Sequence, residues 1–108
     1  MDKYFLKHQT SDTVIGELSV DIEADCFYFL KNADYTGPLP AFLMYANGGI
    51  PESDMVKMWV MGRAPEPNAE FIDALIEKIG ETKYNAYSFF KYNKGAFITD
   101  KFYVVPWT

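Results

Sequence analysis

The sequence predicts a small α+β domain, and three features of the chain lead to this prediction. Short β-branched and aromatic runs fill the N-terminal third, a helical apolar stripe occupies residues 68–80, and aromatic runs after Gly95 suit closing strands. The chain has 108 residues, the usual length of one domain that closes a core without disulfides or metal. We therefore expect a single domain over residues 1–108, with an N-terminal antiparallel three-stranded meander, two to three helices and one or two closing C-terminal strands.

Three strands are predicted at the N-terminus, namely Tyr4–His8, Val14–Val20 and Cys26–Leu30. Turn-forming residues separate them at Ser11-Asp12 and at residues 23–25. The second strand alternates best between apolar and polar side chains, so one face of the sheet should be solvated. Its apolar face would hold Val14, Gly16, Leu18 and Val20, whereas Ile15 would share the solvated face with Glu17, Ser19 and Asp21.

Residues 32–40 lack any periodicity and contain Pro and Gly, so they predict a loop that crosses the domain. One helical turn is expected over Ala41–Ala46, before the turn Asn47-Gly48-Gly49. Ser53 is suited to cap the N-terminus of a helix that continues through an apolar run. We expect that helix to end at Gly62.

A second helix is predicted from an N-cap at Asn68 to Gly80, with an amphipathic stripe between them. A third, shorter helix is expected at Tyr84–Tyr92, followed by a turn at residues 93–95. The stripe of the second helix consists of Phe71, Ile72, Leu75, Ile76 and Ile79, and the closing strands are placed at Phe97-Ile98 and Phe102–Val105.

Charge is distributed unevenly along the chain. Ten basic and fifteen acidic side chains give a net charge of −5, yet from Lys83 onward four lysines oppose only Asp100. A basic, aromatic tail is one way to bind single-stranded nucleic acid. The acidic remainder of the chain argues against that partner, because it repels a polyanion. The acidic excess instead favours a protein partner with a basic surface.

Compartment and membrane association are also predicted from composition. No segment has the roughly 18 consecutive apolar residues of a membrane helix, and the opening MDKYFLKHQTSD lacks the apolar core of a secretory signal. The single cysteine, Cys26, cannot form an internal disulfide, which agrees with a reducing compartment. We expect a soluble cytoplasmic protein that has no membrane partner and needs no cofactor.

Few residues are suited to catalysis or metal binding. His8 is the only histidine, and its separation from Cys26 matches no metal-binding motif. A Cys26–His8 nucleophile pair across two strands would support a small enzyme, whereas Cys26 would otherwise be a core residue. Asp21, Glu23 and Asp25 are spaced by two, as acid-base groups or cation ligands sometimes are. Their alternative role is a solvated turn.

Arg63 is the only arginine, and it follows Trp59 by four positions at a predicted helix end. The two side chains can stack, and the guanidinium can then bind a carboxylate or phosphate of a ligand. The alternative is that Arg63 caps its own helix or pairs with Glu66 or Asp100 inside the fold. The three methionines of the same helix could form an adaptable binding surface or part of the core. Our candidate protein-interaction residues are Trp59, Arg63, Pro65, Tyr92, Lys94 and Asp100.

The segment 59–104 carries the pattern W-x3-R, N-x3-I-x-x-L, G-x3-Y, K-x3-G and D-x-F-Y-V. In this pattern it resembles a set of small, uncharacterised bacterial and phage-associated proteins that are common in Firmicutes. Some of them are distantly similar to the N-terminal subdomain of HipA-type toxins, whose kinase body has no counterpart here. Glu66 replaces a family proline, and Ala69 replaces a second basic residue. The resemblance implies a kind of protein and no established activity.

Three classes of function stay open. The first is a non-enzymatic protein-binding module, such as a phage-type inhibitor that offers carboxylates to a host defence or nucleic-acid-handling protein. The second is a regulatory or antitoxin-like module related to the HipA N-terminal subdomain. The third is a small enzyme that uses Cys26 and His8. We expect the first class. Edge strands and the aromatic surplus also favour a symmetric homodimer.

Overall fold

The computed structural model describes residues 1–44, 46 and 50–107. These residues form an α+β domain in which helices accompany one four-stranded antiparallel sheet, so the predicted fold class and N-terminal meander are confirmed. No helix in this part of the chain is long and apolar enough to span a membrane. The elements are β1 Asp2–His8, β2 Gly16–Asp21, β3 Cys26–Lys31, α1 Ala41–Met44, α2 Ser53–Met61, α3 Ile72–Lys78, α4 Ala86–Tyr92 and β4 Phe102–Pro106.

The sheet has the order β3-β2-β1-β4, so the first strand lies inside the sheet and the last strand closes one edge. Leu6 illustrates the register, because it lies opposite Gly16 on β2 and opposite Val104 on β4. All strand pairs are antiparallel. The predicted closing strand at Phe102–Val105 is therefore confirmed, and its partner in the sheet is β1.

The core lies between one face of the sheet, here called the inner face, and the helices α1, α2 and α4. Val56 and Val60 of α2 are fully buried, and Phe90 of α4 is 1% exposed. Each such side chain stabilises the fold by about 1.5–3 kcal/mol relative to an exposed one. The strands contribute Tyr4, Leu6, Leu18, Val20, Phe27, Phe29 and Val104 to the same cluster.

The opposite side of the sheet is here called the outer face, and its side chains are exposed or half-buried. Side chains alternate between the two faces of each strand, so every second residue points outward. The Trp107 ring stacks on Phe5 at 5.3 Å between centroids. The outer face consists of Lys3, Phe5, Lys7, Glu17, Ser19, Asp21, Cys26, Tyr28, Leu30, Tyr103, Val105 and Trp107.

Two strand predictions are wrong. Ile15 was expected on the solvated face, but it is fully buried because regular pairing of β2 begins only at Gly16. The Ile15 amide donates to the Leu6 carbonyl at 2.8 Å and so brings its side chain inside before the strand starts. Phe97-Ile98 forms part of a turn rather than a strand, and Ile98 is 95% exposed.

The predicted N-cap of α2 is also wrong, whereas its predicted end is confirmed. Glu52 occupies the N-cap position and makes no side-chain capping bond. Ser53 instead accepts a hydrogen bond from the Phe27 amide at 2.8 Å, which satisfies a donor on the edge of β3. Gly62 ends the helix, and its amide donates to the Met58 carbonyl at 2.9 Å.

The predicted second helix is shorter than expected and is not part of the core. It begins at Ile72 rather than after Asn68, because two consecutive turns, closed by the amides of Ala69 and Ile72, occupy the preceding residues. It ends at Lys78, and the expected terminator Gly80 follows two residues later in the left-handed conformation, with a φ of +83°. No residue of α3 is buried, and Phe71 before it is 74% exposed. The apolar stripe therefore lies only partly buried at the surface.

The predicted third helix and the predicted helical turn are both present in the structure. Asn85 caps α4 by accepting hydrogen bonds from the amides of Tyr87 and Ser88 at 3.0 and 3.3 Å. The predicted helical turn is present as α1. The predicted turn at Asn47-Gly48-Gly49 lies outside the described residues.

Gly16 is the position at which the sheet tolerates no side chain. An added Cβ would overlap the Leu30 carbonyl oxygen and would lie 2.6 Å from the Phe29 ring. We expect Gly16→Ala to lower the free energy of unfolding by about 2 kcal/mol or more, since overpacking displaces neighbouring strands. Urea denaturation measures this loss. Ser19→Ala on the outer face of the same strand is the control, and equal stability of the two variants would contradict the prediction.

Candidate functional site

Arg63 is placed by the end of α2. The helix closes at Gly62, and the Arg63 amide donates to the Val60 carbonyl at 3.3 Å, so the arginine follows in a further turn. This turn directs the side chain into the protein, where only 4% of it is exposed. A buried cation is costly unless it is paired and hydrogen-bonded. The surrounding groups must therefore satisfy it.

Four hydrogen bonds from the guanidinium meet this requirement. The Nη1 and Nη2 atoms donate to the two carboxylate oxygens of Asp100 at 2.8 and 2.6 Å. Nη2 also donates to the Phe102 carbonyl at 2.9 Å, and Nε donates to the Gly95 carbonyl. The planar fork of arginine matches this bidentate geometry. One side chain thus joins the end of α2 to the 95–100 segment and to β4.

Aromatic rings cover the same guanidinium. Its central carbon lies 4.2 Å from the centre of the Trp59 ring and 5.5 Å from that of Phe97. The predicted stacking of Trp59 and Arg63 across one helical turn is confirmed. Of the proposed interior partners, Asp100 rather than Glu66 forms the ion pair. Because the charge is already paired and covered, it is not available to bind a ligand anion.

The ion pair also determines the protonation of Asp100. Burial alone would raise the pKa of its carboxyl group. Hydrogen bonds from Arg63 and from the Phe102 amide, together with the charge of Arg63, act in the opposite direction and hold the pKa below its usual value. Asp100 is therefore more firmly ionised in the folded protein than in the unfolded chain.

A groove lies beside this network, between α1 and α2. Its first hollow has a volume of 290 Å³ and is lined almost wholly by apolar side chains. A second hollow of 330 Å³ shares Ala41, Met58 and Trp59 with the first and continues to Arg63 and Asp100. We call the first hollow the α1–α2 groove, and its lining residues are Ala41, Phe42, Met55, Met58 and Trp59.

The two sides of the groove differ in rigidity. Trp59 packs edge-on against Phe42 and Phe102, with ring centres 5.3 and 6.3 Å apart, and it also contacts Arg63. Met58 has no such support and is 75% exposed. Methionine is flexible and polarisable, so it adapts to varied apolar partners. The groove therefore combines a fixed aromatic wall with an adaptable, exposed side chain.

The structure brings together three of the six candidate interaction residues, namely Trp59, Arg63 and Asp100. The other three line neither this hollow nor the α1–α2 groove. The Pro65 carbonyl accepts a hydrogen bond from the Tyr84 hydroxyl at 2.7 Å. Tyr92 and Lys94 lie at the end of α4 with exposed side chains, and the Lys94 carbonyl accepts from the Val104 amide at 2.8 Å. Sequence reasoning missed Ala41, Phe42 and Phe97, which reach the site only through tertiary packing.

The hypothesis of a Cys26–His8 nucleophile pair is wrong. Cys26 pairs with Asp21 at one end of the sheet, and His8 lies at the opposite end of β1, with β2 between the two strands. Six residues of extended strand separate these ends by about 20 Å. The His8 Nδ1 atom instead hydrogen-bonds the Thr10 hydroxyl at 2.6 Å. Cys26 is half-buried at the start of its strand and not a core residue.

Of the three carboxylates near the turn between β2 and β3, two form contacts within the protein. Asp21 accepts a hydrogen bond from the Ala24 amide at 3.1 Å, and Asp25 forms an ion pair with Lys57 at 2.8 Å. Both Glu23 and Asp25 are exposed. Across residues 1–44, 46 and 50–107, no three His, Cys, Asp or Glu side chains are placed to hold a metal ion.

Comparison with known proteins gave no match. The chain matches no family model, and no curated protein or solved structure matches it either. The resemblance drawn from residues 59–104 therefore stays a prediction.

The ion pair predicts a specific pH dependence of stability. Because the pKa of Asp100 is lowered on folding, its contribution is fully present above the unfolded-state pKa of about 3.9 and is lost as the pH falls below it. We expect Asp100→Asn to lower the free energy of unfolding by about 1.5–3 kcal/mol at neutral pH. The difference from the wild type should shrink below about pH 4.

Urea denaturation at a series of pH values measures both quantities. The control is Asp25→Asn, which removes an exposed ion pair and should cost less than about 1 kcal/mol. If the difference in free energy of unfolding between the wild type and Asp100→Asn stayed constant down to pH 3, the pH dependence could not be assigned to the ion pair.

Proposed function

We propose that this protein is a non-enzymatic binding module whose α1–α2 groove holds apolar side chains of a partner protein. The observation that carries the proposal is the exposed Met58 beside an apolar hollow with a fixed aromatic wall. Methionine is among the residue types most often buried, so an exposed methionine beside an apolar hollow favours a binding role. The ion pair of Arg63 supports the groove from within and does not bind the partner.

Charge supports a basic partner. Asp54 lies one helical turn before Met58 and is exposed, and Glu52 is exposed just before the helix begins. The net charge of the chain is −5, so the partner would approach an acidic surface. A segment with an apolar anchor flanked by Lys or Arg fits both features. Such a surface also fits the more specific proposal of an inhibitor that engages a host defence or nucleic-acid-handling protein through its phosphate-binding surface.

The groove is best tested at Met58, because it is exposed and its substitution should not affect the core. We expect Met58→Lys to weaken partner binding at least tenfold, since it places a cation in an apolar site that faces a basic partner. Leu30→Lys is the matched control, with the same change in charge at a side chain that is 69% exposed on the outer face. Affinity capture from the native host followed by calorimetry with the purified partner measures the effect.

The outcomes are distinct. Loss of binding by Met58→Lys, with binding kept by Leu30→Lys and by the conservative Met58→Leu, supports the groove. Equal binding by wild type and Met58→Lys would place the partner elsewhere. The absence of any captured partner would count against a protein-binding function as a whole.

A further inference from the structure

The outer face exposes more apolar surface than a solvated sheet normally does. Leu30 is 69% exposed, Tyr28 52%, Trp107 42% and Val105 39%. The register places Leu30, Glu17, Phe5 and Val105 in one row across all four strands, so three apolar side chains share this row with one carboxylate. A solvated sheet face is usually polar, so several exposed apolar side chains on one face favour an interaction site.

Charge distinguishes this face from the other exposed apolar surfaces. The α1–α2 groove is flanked by acidic side chains, and on α3 the exposed Asp73 and Glu77 outnumber the exposed Lys78. Two copies of a chain with a net charge of −5 would repel each other at either place. The outer face instead carries two lysines, Lys3 and Lys7, and two carboxylates, Glu17 and Asp21, so its charges balance.

A surface with both signs is able to complement itself. A two-fold axis sets the same patch of two copies face to face, so that a carboxylate of one copy meets an ammonium of the other. Pairing through the edge of β4 is less favourable. Arg63 already donates to the Phe102 carbonyl on that edge, and the Lys94 carbonyl accepts from the Val104 amide there. The face, rather than that edge, is therefore the surface open to a second copy.

We propose that the outer face binds a second copy of this chain in a weak, two-fold symmetric dimer. Four strands about 4.8 Å apart, each with about 17 Å of length, give a footprint of roughly 300 Å². Stable complexes bury about 800 Å² per partner. The dimer should therefore form only at high concentration, and the α1–α2 groove stays open in it because it lies with the helices on the other side of the sheet.

Sedimentation equilibrium tests the proposal at protein concentrations from about 10 μM to about 1 mM, which covers weak association. The weight-average mass of the wild type should rise with concentration from 12.4 kDa toward twice that value. We expect Leu30→Lys to remain a monomer throughout. Leu30 lies opposite Glu17, so the new lysine gains a cross-strand partner and should not disturb folding, which circular dichroism checks.

Leu30→Lys also makes the net charge less negative, so a loss of association cannot come from greater overall repulsion. Met58→Lys makes the same charge change in the groove and should dimerise like the wild type. A wild type that stays monomeric at every concentration would overturn the proposal and leave the face to another partner. Dimerisation that survives in Leu30→Lys, or that is lost in Met58→Lys, would also overturn it. Neither result depends on whether the groove binds a partner protein.

Discussion

The fold depends on the burial of one cation. Moving the Arg63 charge out of water costs several kcal/mol, which only well-placed partners offset. Those partners are the Asp100 carboxylate and the carbonyls of Gly95 and Phe102, all on the segment that leads into β4. Much of that segment has no helix or strand of its own. Its position against α2 is therefore determined by the guanidinium, which also satisfies a carbonyl on the edge of the sheet.

The same interaction shapes the surface that we propose for binding. The Trp59 ring is held among Arg63, Phe42 and Phe102, so the wall of the α1–α2 groove is rigid while Met58 remains free to adapt. Arginine beside tryptophan at a helix end suggested a charged contact with a ligand. In the structure, Arg63 instead holds the Trp59 ring from inside the fold, and the surface left for a partner is apolar. The two open surfaces then differ in chemistry, because the groove is flanked by acids and the outer face carries both signs.

Local patterns in the sequence predicted elements well wherever the deciding contacts were local. The alternation of β2 and the glycines that end α2 and the 72–80 segment belong to this class. Ser53 failed as a cap because its hydroxyl serves the amide of Phe27, which is distant in sequence. The apolar stripe of α3 correctly predicted a helix, but that helix does not pack into the core. The periodicity of a sequence cannot identify what a helix packs against. Trp59 and Arg63 were found from their spacing, whereas Phe42 and Phe97 join them only in the folded chain.

The role of Arg63 is tested most directly by the free energy of unfolding of Arg63→Met, compared with Lys57→Met. Both residues lie at α2 and both form ion pairs, but the Lys57 side chain is 37% exposed and that of Arg63 is 4% exposed. We predict a loss of about 3–5 kcal/mol for Arg63→Met, partly recovered when Asp100→Leu removes the unpaired carboxylate. Lys57→Met should cost less than about 1 kcal/mol. Equal, small losses for both variants would contradict the account.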